Sequence, residues 1–396
     1  MNGKMKILRP WWILAGAALG LFVMAWLGRR ASESDYHPHF TRFFPAISPE
    51  ANYYPTIGEM SAIVRARCQR DQVLVIVGGN SVLHGVWQPA DVLWTRKLQE
   101  RLGERYAVIN FALRGATPTD GGAVVAEVLR DEFPHQIYIA NEKAATGFFP
   151  LGAGPYRLIF WEAYFGGKLL SDPARNLAVR DDRLFPKNFG ETAEIVGSVT
   201  LDRVLRFRDF WNRLAFEKIN TVSSPFAPAP PGLFAPRKLF ADEERDGTSI
   251  TLDERYLPSA REREMEILRA TSALNYDRTA EGGWHLRDFV RARIGGNYRD
   301  GFPQALHART MLLIGRDSAF YRAQLSASEC ARDEQAIADS IAMLRGYGYA
   351  AVDYGKNFTA EDYADRIHLA PPGGEKLADT VAPAVKDLAE KLGYLK

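Results

Sequence analysis

The sequence predicts an α/β fold with a parallel sheet of five strands. Short apolar runs rich in β-branched residues recur along the chain, and segments with apolar residues at helical spacing separate them. This alternation is typical of a parallel sheet that helices cover on both faces. With 396 residues, 46% of them hydrophobic and 25% charged, the chain can bury a sizeable core. Its formal net charge of +2, without a long basic run, argues against nucleic acid as a partner.

The first thirty residues, 1–30, predict a membrane anchor. The segment from Trp11 to Gly28 carries no charge, and its length of about 18 residues is near the lower limit for crossing a bilayer. Tryptophans lie near both ends, as interfacial aromatic residues do. A cleaved signal peptide is the alternative, although its apolar region is usually shorter and a small-x-small cleavage site is lacking. Basic residues before and after the span favour a cytoplasmic N-terminus only slightly: Lys4, Lys6 and Arg9, against Arg29 and Arg30.

Residues 31–57, polar and aromatic with several prolines, are expected to form a stalk. Helices and strands alternate after it. The strands are expected where apolar runs are short and continuous, at 73–77, 106–111 and 136–140. The helices are expected where apolar residues recur at helical spacing, as Leu98 and Leu102 do, at 57–70, 91–102 and 119–129.

The alternation stops near residue 150, and residues 150–304 predict a long insertion that is mostly helical or irregular. It contains two expected helices, 201–216 and 262–273. A proline-rich stretch at 225–231 is expected to be extended, because proline fits neither a helix interior nor a central strand. Alternation then resumes with a strand at 310–314, a helix at 334–347, a short strand at 350–353 and a last helix at 373–392. One domain, 58–396, is therefore expected, with its core in 58–149 and 305–396.

Ser81 is the strongest candidate for catalysis. It lies in Gly79-Asn80-Ser81, directly after the strand at 73–77, where open α/β sheets bind ligands. A serine hydroxyl needs a base to take its proton and a third group that orients the base. His368, with Asp365 three residues earlier, can supply both from a loop that leads into the last helix. The alternative is a surface histidine that caps a loop.

Acyl transfer also needs hydrogen-bond donors for an oxyanion. Gly115 follows the second strand and can bring its backbone N–H close to a substrate, because it has no side chain. Asn141 follows the third strand, and its amide can donate a hydrogen bond. Taken singly, each has an ordinary alternative, as a loop glycine and as a turn residue.

The two cysteines, Cys68 and Cys330, do not form a disulfide framework, and no cysteine–histidine cluster has the spacing of a zinc site. We interpret them as two buried free thiols, with a disulfide in an oxidising compartment as the alternative. We therefore expect no metal and no other cofactor.

In combination, these blocks resemble the SGNH (GDSL-like) hydrolase superfamily, over residues 70–145 and 308–392. The resemblance implies a three-layer α/β/α fold with flavodoxin-like strand order. It implies Ser81 as nucleophile, His368 as base and Asp365 as the group that orients His368. The Ser81 N–H, the Gly115 N–H and the Asn141 side chain would form the oxyanion hole. Two positions depart from the family pattern, since Asn80 replaces an aspartate and the third block is Ile139-Ala140-Asn141-Glu142 rather than Gly-x-Asn-Asp.

Ser318 is an alternative nucleophile, because Gly315-Arg316-Asp317-Ser318 also follows a strand. It would leave only one strand–helix unit before His368, and it would leave the Gly115 and Asn141 blocks upstream, against the family order. Arg316 or Asp317 could still line the crevice. Asn80 and His84 are further candidate substrate contacts, with a structural role as the alternative for His84.

Membrane-tethered proteins of this superfamily resemble accessory proteins of alginate O-acetylation and of lipoteichoic acid D-alanylation. The resemblance implies a serine O-acyl esterase or acyltransferase, of O-acetyl groups, that acts on a cell-envelope or secreted polysaccharide. It also implies an inner-membrane location in bacteria, a periplasmic catalytic domain, and a membrane-bound O-acyltransferase or polysaccharide synthase as partner. The alternatives are a lipase or thioesterase and a non-catalytic scaffold. Aromatic residues of the insertion are expected either to stack on sugar rings or to pack in the core: Tyr156, Phe160, Trp161, Tyr164, Phe165 and Trp211.

Overall fold

The centre of the computed structural model is a five-stranded parallel sheet. The structure describes residues 10–32, 40–43, 56–119, 121–143, 157–165, 186–206 and 258–395. Its strands are β1 (Val73–Val77), β2 (Tyr106–Asn110), β3 (Gln136–Lys143), β4 (Tyr276–Arg278), β5 (Trp284–Leu286), β6 (Thr310–Gly315) and β7 (Ala350–Tyr354). The parallel sheet has the order β2-β1-β3-β6-β7, and β4 and β5 form a separate antiparallel pair. The predicted α/β class with five parallel strands is thus confirmed.

Helices cover both faces of the sheet. In chain order they are α1 (Pro10–Ser32), α2 (Ile57–Arg67), α3 (Ser81–His84), α4 (Trp94–Leu102), α5 (Gly121–Leu129), α6 (Arg157–Phe165), α7 (Phe189–Leu205), α8 (Pro258–Asn275), α9 (Asp288–Ile294), α10 (Ala319–Arg322), α11 (Ala327–Gly346) and α12 (Pro371–Lys391). Alternate residues of β1 enter different cores, since Leu74 and Ile76 pack with α2 and α5, whereas Val75 packs with α4 and α12. This alternation explains why β1 is apolar at every position.

The insertion departs from prediction in two places. The structure has a helix at α7, which Asn188 caps and which ends at Arg206 in the left-handed conformation, with φ of 52°. The predicted helix 201–216 is therefore wrong in its boundaries, because only residues 201–205 of it are helical before that end, and residues 207–216 lie outside the described ones. The β4–β5 hairpin was not predicted. The predicted helix 262–273 corresponds to α8, and the proline-rich stretch 225–231 lies outside the described residues.

Helix α1 is long and apolar enough to cross a membrane. Its candidate membrane span, Trp11–Arg30, contains an 18-residue window with a mean hydropathy of 1.8, of which only 6% is buried. The C-terminal part of α1 contacts the domain. Gly28 lies against the backbone of Leu205 and Arg206 at the end of α7. A side chain at residue 28 would collide with that backbone, so glycine permits the close approach.

Residues 40–43 belong to the core, although the sequence predicts a stalk there. Phe40 and Phe43 are buried, with their ring centroids 5.7 and 5.4 Å from that of Phe111. Arg42 is only 1% exposed, and its guanidinium donates hydrogen bonds to the carbonyl oxygens of His84 and Gly85 at the end of α3. The predicted stalk, 31–57, is thus corrected at these four residues, which pack against the loop after β2 and the turn that follows Ser81.

Candidate active site

A tight turn presents Ser81 at the carboxyl end of β1. Gly79 has φ of +84°, and a Cβ there would lie 2.5 Å from Oδ1 of Asn141, so the position suits only glycine. Asn80 caps α3, because its Oδ1 accepts a hydrogen bond from the Val82 N–H at 3.0 Å. Ser81 is the first residue of the helix, where a backbone N–H has no acceptor within the helix. The turn therefore offers both a hydroxyl and an N–H at the sheet edge.

Ser81, His368 and Asp365 form one hydrogen-bonded chain. Nε2 of His368 lies 2.8 Å from Oγ of Ser81, although 287 residues separate them in the sequence. Nδ1 of His368 lies 2.7 Å from Oδ2 of Asp365. Oδ1 of Asp365 accepts hydrogen bonds from the backbone N–H groups of Ile367 and His368, at 2.9 and 2.8 Å. The three residues that the sequence nominates as nucleophile, base and orienting group are thus brought into contact.

The surroundings of Asp365 stabilise its negative charge. Burial acts to raise the pKa of this carboxyl, but the adjacent His368 imidazole and the N–H donors together act more strongly, so its pKa lies below the ordinary value. An ionised Asp365 accepts the Nδ1 proton of His368, which leaves Nε2 unprotonated and able to accept the Ser81 hydroxyl proton.

The loop that carries His368 is held on several sides. Residues Tyr363 and Leu369 form an antiparallel bridge, and the Ala364 N–H donates to the His368 carbonyl at 2.8 Å. The fully buried Gln88 donates from Nε2 to the Leu369 carbonyl at 3.1 Å, and its Oε1 accepts from the Trp94 N–H. Gln88 was not predicted, because a lone glutamine beyond α3 carries no signal that it will meet a loop 281 residues later.

A charged cluster anchors the same loop to the insertion. Arg366, between Asp365 and His368, forms ion pairs with Asp317 and with Glu264 of α8. Nζ of Lys143, at the end of β3, lies 3.9 Å from Oδ2 of Asp317. Asp317, a predicted crevice residue, is thus buried in this cluster. The insertion therefore contacts the loop of the candidate base directly through Glu264.

The predicted oxyanion donors surround the Ser81 turn to different degrees. Asn141 lies beside it, since Nδ2 donates to Oδ1 of Asn80 at 2.9 Å, and Oδ1 accepts from the Asn80 N–H at 3.2 Å. The second hydrogen of Nδ2 is a further donor. Gly115, with φ of +72°, lies in the loop after β2, which Leu113 joins to the turn by donating to the Gly79 carbonyl at 3.0 Å. Asn141 is therefore in direct contact with the turn, and Gly115 is on the loop attached to it.

The predicted substrate contacts lie in structural positions. His84 is 1% exposed, and its Nδ1 lies 2.9 Å from the Ala112 carbonyl oxygen. The Arg316 side chain is 3% exposed and forms ion pairs with Glu334 and Asp353. The Asn80 side chain is engaged with Val82 and Asn141 within the turn. The burial of His84 and Arg316, together with the contacts of all three residues, favours a structural role for them.

Ser318, the alternative nucleophile, is fully buried. Its residue exposure is 0%, and its backbone N–H donates to the Arg366 carbonyl at 2.8 Å. The nucleophile of an acyl transfer must be reached by its substrate, so Ser81, which is half-buried, is the better placed of the two serines.

The aromatic residues of the insertion divide between core and surface. Phe160 and Trp161 are buried in the core, Tyr164 is half-buried, and Phe165 is 43% exposed. The core-packing alternative therefore holds for the first two. Tyr156 and Trp211 lie outside the described residues.

The two cysteines are free thiols, and only Cys68 is buried. Burial, together with the charge of Asp71, raises the pKa of Cys68 to about 12, whereas Cys330 is half-buried. Among the residues that the structure describes, no three His, Cys, Asp or Glu side chains are grouped to hold a metal ion.

Glu142, the residue after Asn141, is a buried acid that sequence reasoning did not single out. Its carboxylate accepts hydrogen bonds from the Tyr298 hydroxyl at 2.6 Å and from the Lys143 backbone N–H at 2.8 Å. Burial raises the pKa of Glu142 to about 7, although both donors and the charge of Arg293 act in the opposite direction.

We expect Glu142 to make the folded protein less stable as the pH rises from about 5 to about 8. Its pKa when folded, about 7, exceeds the ordinary 4.5, so the stability that the protonated form contributes is lost as the pH rises through about 7. Glu142→Gln removes this titration and keeps an acceptor for the Lys143 N–H. Thermal unfolding of both proteins across this range should show the variant gaining on the wild type with rising pH. A difference that does not change with pH would contradict the expectation.

The arrangement can move a proton from Ser81 Oγ to His368 Nε2 while Asp365 stabilises the resulting positive charge. This is the proton transfer that turns a serine hydroxyl into a nucleophile. No protein-family model matches the chain, and neither does any curated protein sequence.

Proposed function

We propose that this protein is an SGNH-type serine O-acyl esterase or acyltransferase, which acts through an acyl group on Ser81. The observation that carries the proposal is the hydrogen-bonded chain from Ser81 Oγ through the His368 imidazole to Asp365. The sheet order supports the family assignment, since the five parallel strands follow the flavodoxin-like order 2-1-3-4-5 when counted along the chain. The positions of Asn141 beside the turn and of Gly115 on the adjoining loop agree with the block order of that family.

In the first step, Ser81 Oγ attacks the carbonyl carbon of the ester while its proton passes to Nε2 of His368. The carbonyl oxygen takes the negative charge of the tetrahedral intermediate. The backbone N–H of Ser81, the backbone N–H of Gly115 and the remaining Nδ2 hydrogen of Asn141 are the donors assigned to it. When the C–O bond of the ester breaks, His368 returns the proton to the leaving alcohol, and the acyl group remains on Ser81.

In the second step, an acceptor hydroxyl attacks the acyl-serine and gives its proton to Nε2 of His368. The C–O bond to Ser81 then breaks, and the proton passes to Oγ, which restores the enzyme. Water as acceptor gives hydrolysis, and a sugar hydroxyl gives transfer. Exclusion of water and binding of the acceptor choose between the two outcomes.

The substrate in this proposal is an O-acetylated polysaccharide outside the bacterial cytoplasmic membrane, where a membrane-bound O-acyltransferase or polysaccharide synthase would be the partner. Helix α1, which is long and apolar enough to cross a membrane, supports a position at the membrane surface. Because α1 packs on α7, the catalytic domain would lie close to that surface.

The test combines labelling of the nucleophile with a panel of esters. The full chain is treated with a fluorophosphonate probe, and hydrolysis of p-nitrophenyl acetate, of long-chain p-nitrophenyl esters and of acetylated polysaccharide is measured. We expect labelling at Ser81, preference for the acetyl ester and release of acetate from the polysaccharide.

Two results would overturn the proposal in different ways. A preference for long-chain esters would replace the polysaccharide substrate with a lipid-like one. Absence of labelling in the wild type, together with no ester hydrolysis, would leave a scaffold that keeps the fold without the chemistry.

A further inference from the structure

A cavity of about 750 Å³ lies where α1 meets the domain, between α1, α2 and α7. Residues of the candidate active site do not line it. Beside small apolar residues, its lining has two aromatic side chains of α1 and four arginines, one of them also on α1: Phe22, Trp26, Arg29, Arg65, Arg203 and Arg206. The cavity is therefore a separate feature from the site of Ser81, with a different chemical character.

The charged side chains that line the cavity are, among the described residues, all arginines. Four arginines line the cavity, and no Asp or Glu does among the described residues. Arg65 shares its charge with Glu132, to which it donates two hydrogen bonds of 2.7 Å. Arg203 donates to the neutral carbonyl of Phe165 at 3.3 Å, so that contact leaves its positive charge uncompensated. A guanidinium group can donate two parallel hydrogen bonds to the oxygens of one phosphate, so this lining suits a phosphate group.

The backbone brings these cations together. Arg206 has φ of 52° directly after the end of α7, which turns the chain there. Its guanidinium lies against Gly58 in the first turn of α2, where a larger residue would occupy the same space. Gly28 of α1 lies against the backbone of Arg206 and Leu205. Two glycines thus permit α1, α2 and the end of α7 to converge around the cavity.

The cavity lies at the level of lipid headgroups if α1 crosses a bilayer. The apolar window of α1 ends at Arg30, and Arg29 lines the cavity. Phe22 and Trp26 are 69% and 52% exposed, and the Arg30 guanidinium lies 6.0 Å from the Trp26 ring centroid. Aromatic residues and arginines in this order along a helix mark the boundary between acyl chains and headgroups.

We propose that this cavity binds one anionic phospholipid of the membrane that holds α1. Its phosphate lies among Arg29, Arg203 and Arg206, and its acyl chains lie along Phe22 and Trp26. The bound lipid joins α1 to the catalytic domain and so fixes the domain at the membrane surface. This inference goes beyond the proposed function, because it requires no reaction at Ser81.

The test is native mass spectrometry of the full chain in detergent, titrated with dioleoyl phosphatidylglycerol or dioleoyl phosphatidylcholine. We expect a single phosphatidylglycerol adduct that binds about tenfold more tightly than phosphatidylcholine. The Arg203→Gln/Arg206→Gln variant should lose this preference. The matched control is Arg96→Gln/Arg299→Gln, which removes two arginines whose side chains are 60% and 62% exposed elsewhere and should keep the preference.

Several outcomes would overturn the proposal. If the wild type binds the two lipids equally, the cavity is not selective for an anionic lipid. This result would overturn the proposal whether or not the variants fold. Equal loss in the control variant would indicate that net charge alone attracts the lipid. Displacement of phosphatidylglycerol by millimolar inorganic phosphate would assign the cavity to a soluble phosphate rather than to a lipid.

Discussion

The Ser81→Ala variant should lose ester hydrolysis by roughly 10⁴-fold or more, while its fold persists. The hydroxyl that accepts the acyl group is removed, and His368 loses the partner that lies 2.8 Å from its Nε2. Any rate that remains is expected from the oxyanion donors and substrate binding, which the variant keeps. Steady-state kinetics with p-nitrophenyl acetate measures the loss in kcat/KM.

The matched control is Ser318→Ala. Ser318 also follows a strand of the sheet, and its contact with Arg366 uses the backbone N–H, which alanine retains. We expect kcat/KM of this variant to stay near the wild-type value and its thermal unfolding to remain cooperative. The assignment of the nucleophile fails if Ser318→Ala loses activity and Ser81→Ala keeps it.

The Asp365→Asn variant should lower kcat/KM by roughly 10³- to 10⁴-fold near neutral pH. Oδ1 of the asparagine can still accept from the Ile367 and His368 N–H groups, which holds the loop in place. Its NH₂ group then faces Nδ1 of His368, where a carboxylate oxygen stood. The imidazole is driven to the other tautomer, with the proton on Nε2, and it can no longer accept the Ser81 proton.

Kinetics alone would not separate this effect from a distorted loop. Fluorophosphonate labelling of Ser81 should slow in Asp365→Asn by a factor similar to the loss in kcat/KM, because both depend on the same proton transfer. Asp353→Asn, at a carboxylate that pairs with Arg316, is the control and should change labelling little. A loss below tenfold in Asp365→Asn would show that His368 keeps its tautomer without this carboxylate.

The strands of the sheet could be predicted because the property that places them is local. A strand buried on both faces is apolar along most of its length, and Val73–Val77 and residues 311–314 of β6 show this in the sequence itself. The β4–β5 hairpin was missed because each strand has three residues, too few for a periodic pattern. The α7 boundary was wrong because its start depends on the Asn188 cap and its end on the left-handed Arg206.

The same distinction between local pattern and distant contact applies to the residues of the candidate site. Ser81, His368 and Asp365 stand in short blocks with recognisable spacing, so the sequence nominates them. Gln88 and the Glu264–Arg366 ion pair act between segments that are 281 and 102 residues apart. The sequence contains no local pattern for such contacts, because each residue taken alone is an ordinary glutamine, glutamate or arginine. Arg42 was missed for the same reason, in a segment whose composition predicts an exposed stalk.

Because Phe40 is packed into the core, only seven residues, 33–39, connect the end of α1 at Ser32 to the body of the domain. Fully extended, the eight steps from Ser32 to Phe40 span roughly 28 Å. With α1 in a bilayer, this short tether would keep Ser81 in a layer next to the membrane, even if α1 separated from α7. An enzyme held in this way could not reach polymer that lies far from the membrane. The polymer substrate of the proposed function would then have to be modified close to the membrane surface.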